Sequence, residues 1–197
     1  WIFGGATGDI LIINPNSGPG DHGSSTYSTI VETAQQRGKI VIGYVPLGYG
    51  KRDPQWDVVP DMEKYLQWYK VDGWFLDEAP NREENRRYIA LIGRWCLVGR
   101  EGRRPKTVVF NPGAHIWPGL PAEVPGSIWI TSEGPFITYA DIKAQPMVPV
   151  ARQGVIIHSV PKTMLLADVE QSIGYAVDYG FATHDTLPNP FDGDPTT

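Results

Sequence analysis

Two adjacent acids, Asp77 and Glu78, close the apolar run Val71–Asp77, and a third, Glu133, sits in Thr131-Ser132-Glu133-Gly134-Pro135. Neighbouring carboxylates directly after Trp74-Phe75-Leu76 repel one another and are partly desolvated, which raises the energy of their charged forms. Side chains alternate along a strand, so the two acids face opposite ways as long as the chain stays extended. Asp77, in phase with Gly73 and Phe75, is expected on the inner side of the sheet, with Glu78 on the rim. The plainer reading of the pair is an acidic helix start favoured by the helix dipole. Glycosidic cleavage needs one carboxyl to protonate the leaving oxygen and another to attack or stabilise the oxocarbenium-like centre. A retaining pair stands roughly 5–5.5 Å apart and an inverting pair about 6.5–9.5 Å.

Carboxylates on separate segments need a scaffold that brings strand ends together. Seven short apolar runs recur, each followed by a Gly-, Pro- or Asn-rich turn: Ile10–Asn14, Ile40–Val45, Val71–Asp77, Thr107–Asn111, Ser127–Thr131, Val155–His158 and Tyr179–His184. Several are apolar almost throughout, the pattern of strands buried on both faces of a parallel sheet. Helical patterns lie between them. Ser24, Ser25 and Thr26 offer N-caps for a helix ending near Gly38, and amphipathic stretches cover Asp57–Tyr69, Arg82–Val98 and Leu165–Val177. The polar ends Asn14, Tyr44, Asp77, Asn111, Glu133, His158 and His184 are spaced at about one βα unit. The expected fold is therefore α/β, a (β/α)8 TIM-type barrel forming a single domain over residues 1–197. Seven runs leave one strand to find. It is expected to be the first, upstream of Trp1 or missing from the chain, which opens without an initiator Met.

In such barrels the C-terminal strand ends build the active site. Alongside the three acids, Asn14, Tyr44, Tyr49, Asn111, His158, His184 and Asp185 are assigned to substrate binding. Tyr27, Tyr49, Trp117 and Tyr139 are candidates to stack on sugar faces, whereas Trp74 and Trp129, within strands, are assigned to packing.

Several other chemistries fit poorly. A net charge of -5 argues against nucleic acid, and the cluster Arg100, Arg103, Arg104 and Lys106 reads as a solvated loop. No apolar run reaches the ~18 residues of a membrane span. Cys96 is the single cysteine, inside an apolar stretch where a structural thiol is expected. Neither a GxSxG elbow nor HExxH occurs, and Gly48-Tyr49-Gly50-Lys51-Arg52 lacks phosphate-loop spacing. A metal would need ligands from separate strands, with His158, His184 and Asp77 the nearest to a set; no metal or cofactor is expected.

Longer motifs, in order and almost end to end, carry a resemblance. Asn14-Pro15-Asn16-Ser17-Gly18-Pro19-Gly20, Gly43-Tyr44-Val45, Asp72-Gly73-Trp74-Phe75-Leu76-Asp77-Glu78, Asn111-Pro112-Gly113, His158-Ser159-Val160-Pro161 and Leu187-Pro188-Asn189-Pro190-Phe191 resemble the spherulin-4-like family, spherulation-specific family 4. The resemblance implies a (β/α)8 glycoside hydrolase, endo-acting on α-1,4-linked N-acetylgalactosamine in galactosamine-containing exopolysaccharide. It implies Asp77 as nucleophile, Glu133 as general acid/base, and Glu78 as a group that binds substrate or tunes Asp77. It also implies a secreted or cell-surface location; the expected partner is the polysaccharide, and the chain is expected to be a monomer. Family members usually begin with a strand of the Leu-Tyr-Ile-Tyr-Pro kind followed by a Trp, and this chain starts at about that Trp.

Two other functions fit the same sequence. A coat or matrix protein would bind glycans in the cleft without cutting them, and would tolerate acids well beyond about 10 Å apart. A metal-dependent hydrolase or deacetylase would gather three ligands around one ion.

Overall fold

The computed structural model describes residues 2–3, 10–98, 107–136, 152–166, 168–169, 178–184 and 186. Tyr139, Asp185, the basic cluster 100–106 and most of the helix expected over Leu165–Val177 lie outside the described residues. Seven strands run parallel in sequence order: β2 (Ile10–Ile13), β3 (Ile40–Pro46), β4 (Gly73–Asp77), β5 (Thr107–Asn111), β6 (Ile128–Pro135), β7 (Arg152–His158) and β8 (Tyr179–Ala182). Each pairs with its neighbour in the chain. A two-residue β1 (Ile2–Phe3) lies antiparallel beside β2. Thus the place expected for a first parallel strand carries a short ribbon of opposite direction.

Strict alternation divides the side chains into two layers. Ile10, Ile12, Ile42, Phe75, Val109, Ile128, Ile130, Ile156 and Phe181 form one continuous buried cluster drawn from all seven parallel strands. The short β1, paired with β2, also lies against β8, so the sheet curls and this cluster fills its concave face. On the convex face Val41, Val45, Trp74, Leu76, Val108, Phe110 and Trp129 pack against the helices.

Those helices are α1 (Ser25–Gln36), α2 (Val59–Trp68) and α3 (Arg86–Val98), contributing Val31, Met62, Tyr65, Ile89, Ile92 and Cys96 to the convex core. Gly38 ends the first helix in the left-handed conformation (φ 77°), as its sequence position predicts. The other two begin later than expected. A wide turn at Pro54–Val58, capped by Asp53 on the N–H groups of Gln55 and Trp56, precedes α2. A single tight turn, Glu83–Asn85, precedes α3. Cys96 is fully buried, and burial pushes its thiol up to about 12. Trp129 stacks on Phe110 at 4.5 Å, and Trp74 is buried nearby, so both serve packing.

The strand β6 departs most from expectation. Its apolar run is expected over Ser127–Thr131, with Glu133 at the polar end, yet the ladder continues to Pro135 through a bulge: Ile130 pairs with Gly154 and Ser132 with Val155. One extra residue reverses the inward–outward alternation downstream. Ile128 and Ile130 face inward before it; Glu133, opposite the inward-facing Ile156, faces inward after it. Without the bulge Glu133 would point at the helices.

Close strand approach adds a second constraint. A Cβ on Gly73 would stand 1.8 Å from the Thr107 carbonyl oxygen, a backbone atom with nowhere to go. Gly73→Ala should destabilise the protein by about 3 kcal/mol, the upper end of overpacking costs, read as a lower urea midpoint at unchanged slope. At Gly38, where a Cβ meets nothing, alanine should cost only about 1 kcal/mol, for backbone strain.

Candidate active site

Asp77 ends β4 facing the concave side, in phase with Phe75, as the sequence pattern predicts. The two carboxylate oxygens are held from the two neighbouring strands. The Tyr44 hydroxyl of β3 donates to Oδ2 at 2.7 Å, and the Asn111 amide of β5 donates to Oδ1 at 2.8 Å. The same Asn111 nitrogen donates to Glu133 Oε2 at 2.9 Å. Those two acid oxygens therefore lie no more than about 6 Å apart, the length of the two bonds laid end to end. The amide's orientation follows from its other end, where Oδ1 accepts from the Gly113 N–H at 3.0 Å. Flipping it would break all three bonds.

Glu78 corrects the expected alternation. The chain does not stay extended past Asp77: Glu78 has φ 50°, a left-handed conformation uncommon outside glycine. That reversal brings Glu78 to the same cavity as Asp77, rather than away onto the rim. The cavity, of about 340 Å³, is lined by Tyr49, Asp77, Glu78, Asn111, Pro112, Gly113 and Glu133. The loop after β3 is clipped to the acid pair through its backbone. Leu47 N–H donates to the Asp77 carbonyl at 2.8 Å and Tyr49 N–H to the Glu78 carbonyl at 2.7 Å. Tyr49 is itself left-handed (φ 54°) and 61% exposed, so its ring stands free at the opening.

Burial dominates the electrostatics. It pushes the Asp77 carboxyl above its ordinary range; the hydrogen bonds from Tyr44, the Glu78 backbone and Asn111 oppose this, while the Glu78 charge adds to it. Burial raises Glu133 as well, with the Asn111 bond opposing and the Asp77 charge adding. Two carboxyls so close titrate as a pair, which favours one negative charge between them over two. The Tyr44 phenol is driven upward by burial and then by Asp77, so it stays protonated and donates.

Other expected site residues are placed elsewhere. Asn14 accepts from Gly18 N–H at 3.0 Å and shapes the turn after β2. His158 is buried, its Nδ1 2.8 Å from Ser159 Oγ, and burial lowers its pKa, which favours the neutral ring. His184 Nδ1 lies 3.0 Å from the Val160 carbonyl. None of the three lines the cavity. Tyr27 and Trp117 pack against the convex core, Tyr27 with its ring 6.1 Å from Tyr69, and not at the cavity. Among the described residues, no three His, Cys, Asp or Glu side chains come together as a metal site, and no helix is long and apolar enough to cross a membrane. Pro112 and Gly113 were missed as lining residues, although Asn-Pro-Gly after an apolar run was a visible signal.

Comparison with known proteins follows the same lines. The fold is similar to that in the crystal structure of Aspergillus clavatus Sph3 in complex with GalNAc, with a TM-score of 0.75 and 24% identity over 93% of this chain and 80% of that one. Spherulin-4 of Physarum polycephalum is 43% identical over 72 residues, which are 36% of this chain and 21% of that protein's length. Residues 7–193 match the description "Spherulation-specific family 4", and with nearly the whole chain covered, the protein belongs to that family.

Proposed function

We propose that this protein is a retaining, endo-acting glycoside hydrolase of galactosamine-containing polysaccharide, cutting α-1,4-linked N-acetylgalactosamine units. The observation that carries the reading is the Asn111 amide spanning Asp77 and Glu133, which keeps Asp77 Oδ1 and Glu133 Oε2 within about 6 Å. So close an approach of two oxygens supports a retaining pair, whose carboxyl groups stand roughly 5–5.5 Å apart, over an inverting pair at about 6.5–9.5 Å. The substrate class draws support from the similar fold of a protein crystallised with GalNAc. A closed eight-stranded barrel, completed between β8 and β2, and a secreted or cell-surface location belong to the same proposal.

The roles follow from the hydrogen bonds. Asp77 accepts from both Tyr44 and Asn111, two donors that favour its anion, and serves as nucleophile. Glu133 accepts from Asn111 and sits under the Asp77 charge, so it is the one of the pair to carry the proton and acts as general acid, then general base. Glu78 borders the same cavity and binds substrate.

Asp77→Asn should abolish release of soluble oligomers from galactosamine-type exopolysaccharide, followed by mass spectrometry, while polymer binding survives. Undiminished cleavage by that variant would sink the assignment. Glu133→Gln should slow cleavage by about 100- to 10,000-fold, and NMR of the first product should show the α anomer.

Stability gives an independent check. Glu133 holds its proton more tightly in the folded chain than in the unfolded one, so its contribution is present at low pH and lost as pH rises through the raised value. Glu133→Gln, which keeps an acceptor for Asn111, should therefore raise the melting midpoint at pH 7 by about 2–4 °C, with the gain shrinking towards pH 4. An equal gain at both pH values would show that the charge at Glu133 is not the destabilising group.

A further inference from the structure

Tyr44 was assigned to substrate binding from its place near a strand end, but β3 runs on to Pro46 and Tyr44 lies inside it. Its ring stacks on Phe75 at 6.2 Å and 20°, and Phe75 is fully buried in the concave cluster. From that seat its hydroxyl reaches Asp77 Oδ2, while Asn111 holds Oδ1 from the opposite side. It is not among the residues that line the cavity, and its hydroxyl is engaged by Asp77.

An aspartate carboxyl rotates in a broad, two-fold well about its last torsion. A nucleophile that must aim one oxygen at a sugar carbon loses rate when that rotation is free. The Glu78 backbone N–H also donates to this carboxyl, but Tyr44 and Asn111 are the two side chains that grip its opposite oxygens, and losing either leaves that oxygen freer to swing. We infer that Tyr44 is a positioning residue, whose phenol, braced on Phe75, fixes the rotation of the Asp77 carboxylate against the pull of Asn111. Its kinetic consequence rests on the proposed glycosidase function; the coupling between the two side chains does not. The phenol is poorly suited to act as a nucleophile itself, since burial and the neighbouring acid both oppose its ionisation.

Tyr44→Phe removes one oxygen and keeps the ring on Phe75, so thermal unfolding should barely move. On galactosamine-containing polymer, kcat should fall roughly 10- to 100-fold, the worth of one hydrogen bond to a charged group, with KM within about threefold. The acid limb of kcat/KM should move to higher pH, because Asp77 loses a donor that favours its anion. A raised KM at unchanged kcat would make Tyr44 a substrate contact and overturn the inference. A second measurement needs no turnover. The Asp77 carboxyl is titrated by carbon-13 NMR, its signal assigned by its loss in Asp77→Asn. Its midpoint should rise in Tyr44→Phe; an unmoved midpoint overturns the inference whatever the activity. If the unaltered protein cuts no polymer but the midpoint still rises, the coupling stands and the glycosidase reading falls.

Discussion

A single primary amide organises this site. Buried carboxylates in close proximity repel, and burial alone already disfavours both charges. Asn111 answers the repulsion with the two hydrogens of one nitrogen, each given to a different acid. Its carbonyl oxygen is spoken for by the Gly113 N–H, so the amide has one orientation. The geometry of the pair thus depends on where β5 ends and on the left-handed glycine (φ 62°) two residues later. The backbone repeats the arrangement, since Ala79 N–H donates to the Asn111 carbonyl and Glu133 N–H to that of Gly113. Three strand ends are tied together before any ligand arrives.

Strain collects at the same rim. Tyr49 and Glu78 both adopt the left-handed conformation, each at a cost of order 1–3 kcal/mol. They are joined by a 2.7 Å backbone hydrogen bond, so neither can relax without the other. Ser159, after β7, is a third left-handed residue at a C-terminal strand end, bonded to the ring of His158. Such backbone is tolerated because the layers beneath are closely packed: Gly43 accommodates the Tyr65 ring, and Tyr65 in turn donates to the Ile13 carbonyl.

Much of this was legible in the residues. Period-two alternation placed Asp77 inward, and the run of polar strand ends placed Asn111 level with it; they are direct partners in the β4–β5 register. Three features were not legible, each for a physical reason. Glu78 reaches the cavity through a positive φ that no side-chain pattern announces. Tyr44 has a polar tip and an apolar body, so the sequence does not reveal whether its ring is braced on Phe75 or turned to a ligand. Glu133 is expected at a strand end, but the bulge that turns it inward and the strand that continues past it to Pro135 leave no mark in the residue pattern. Asn14 shows the limit of positional reasoning, because its carboxamide is spent on its own turn.

The bulge at Thr131 gives β6 something like a reading frame. Only the parity of the residue count between the inward-facing Ile130 and Glu133 decides whether a carboxylate reaches Asn111 or is buried among the helices. A gain or loss of one residue there keeps Glu133 in the chain but turns it away from the site; a change of two restores its direction. Comparing relatives position by position across this stretch therefore requires the extra residue to be placed first, because a one-residue misalignment would assign the acid's role to Ser132 or Gly134.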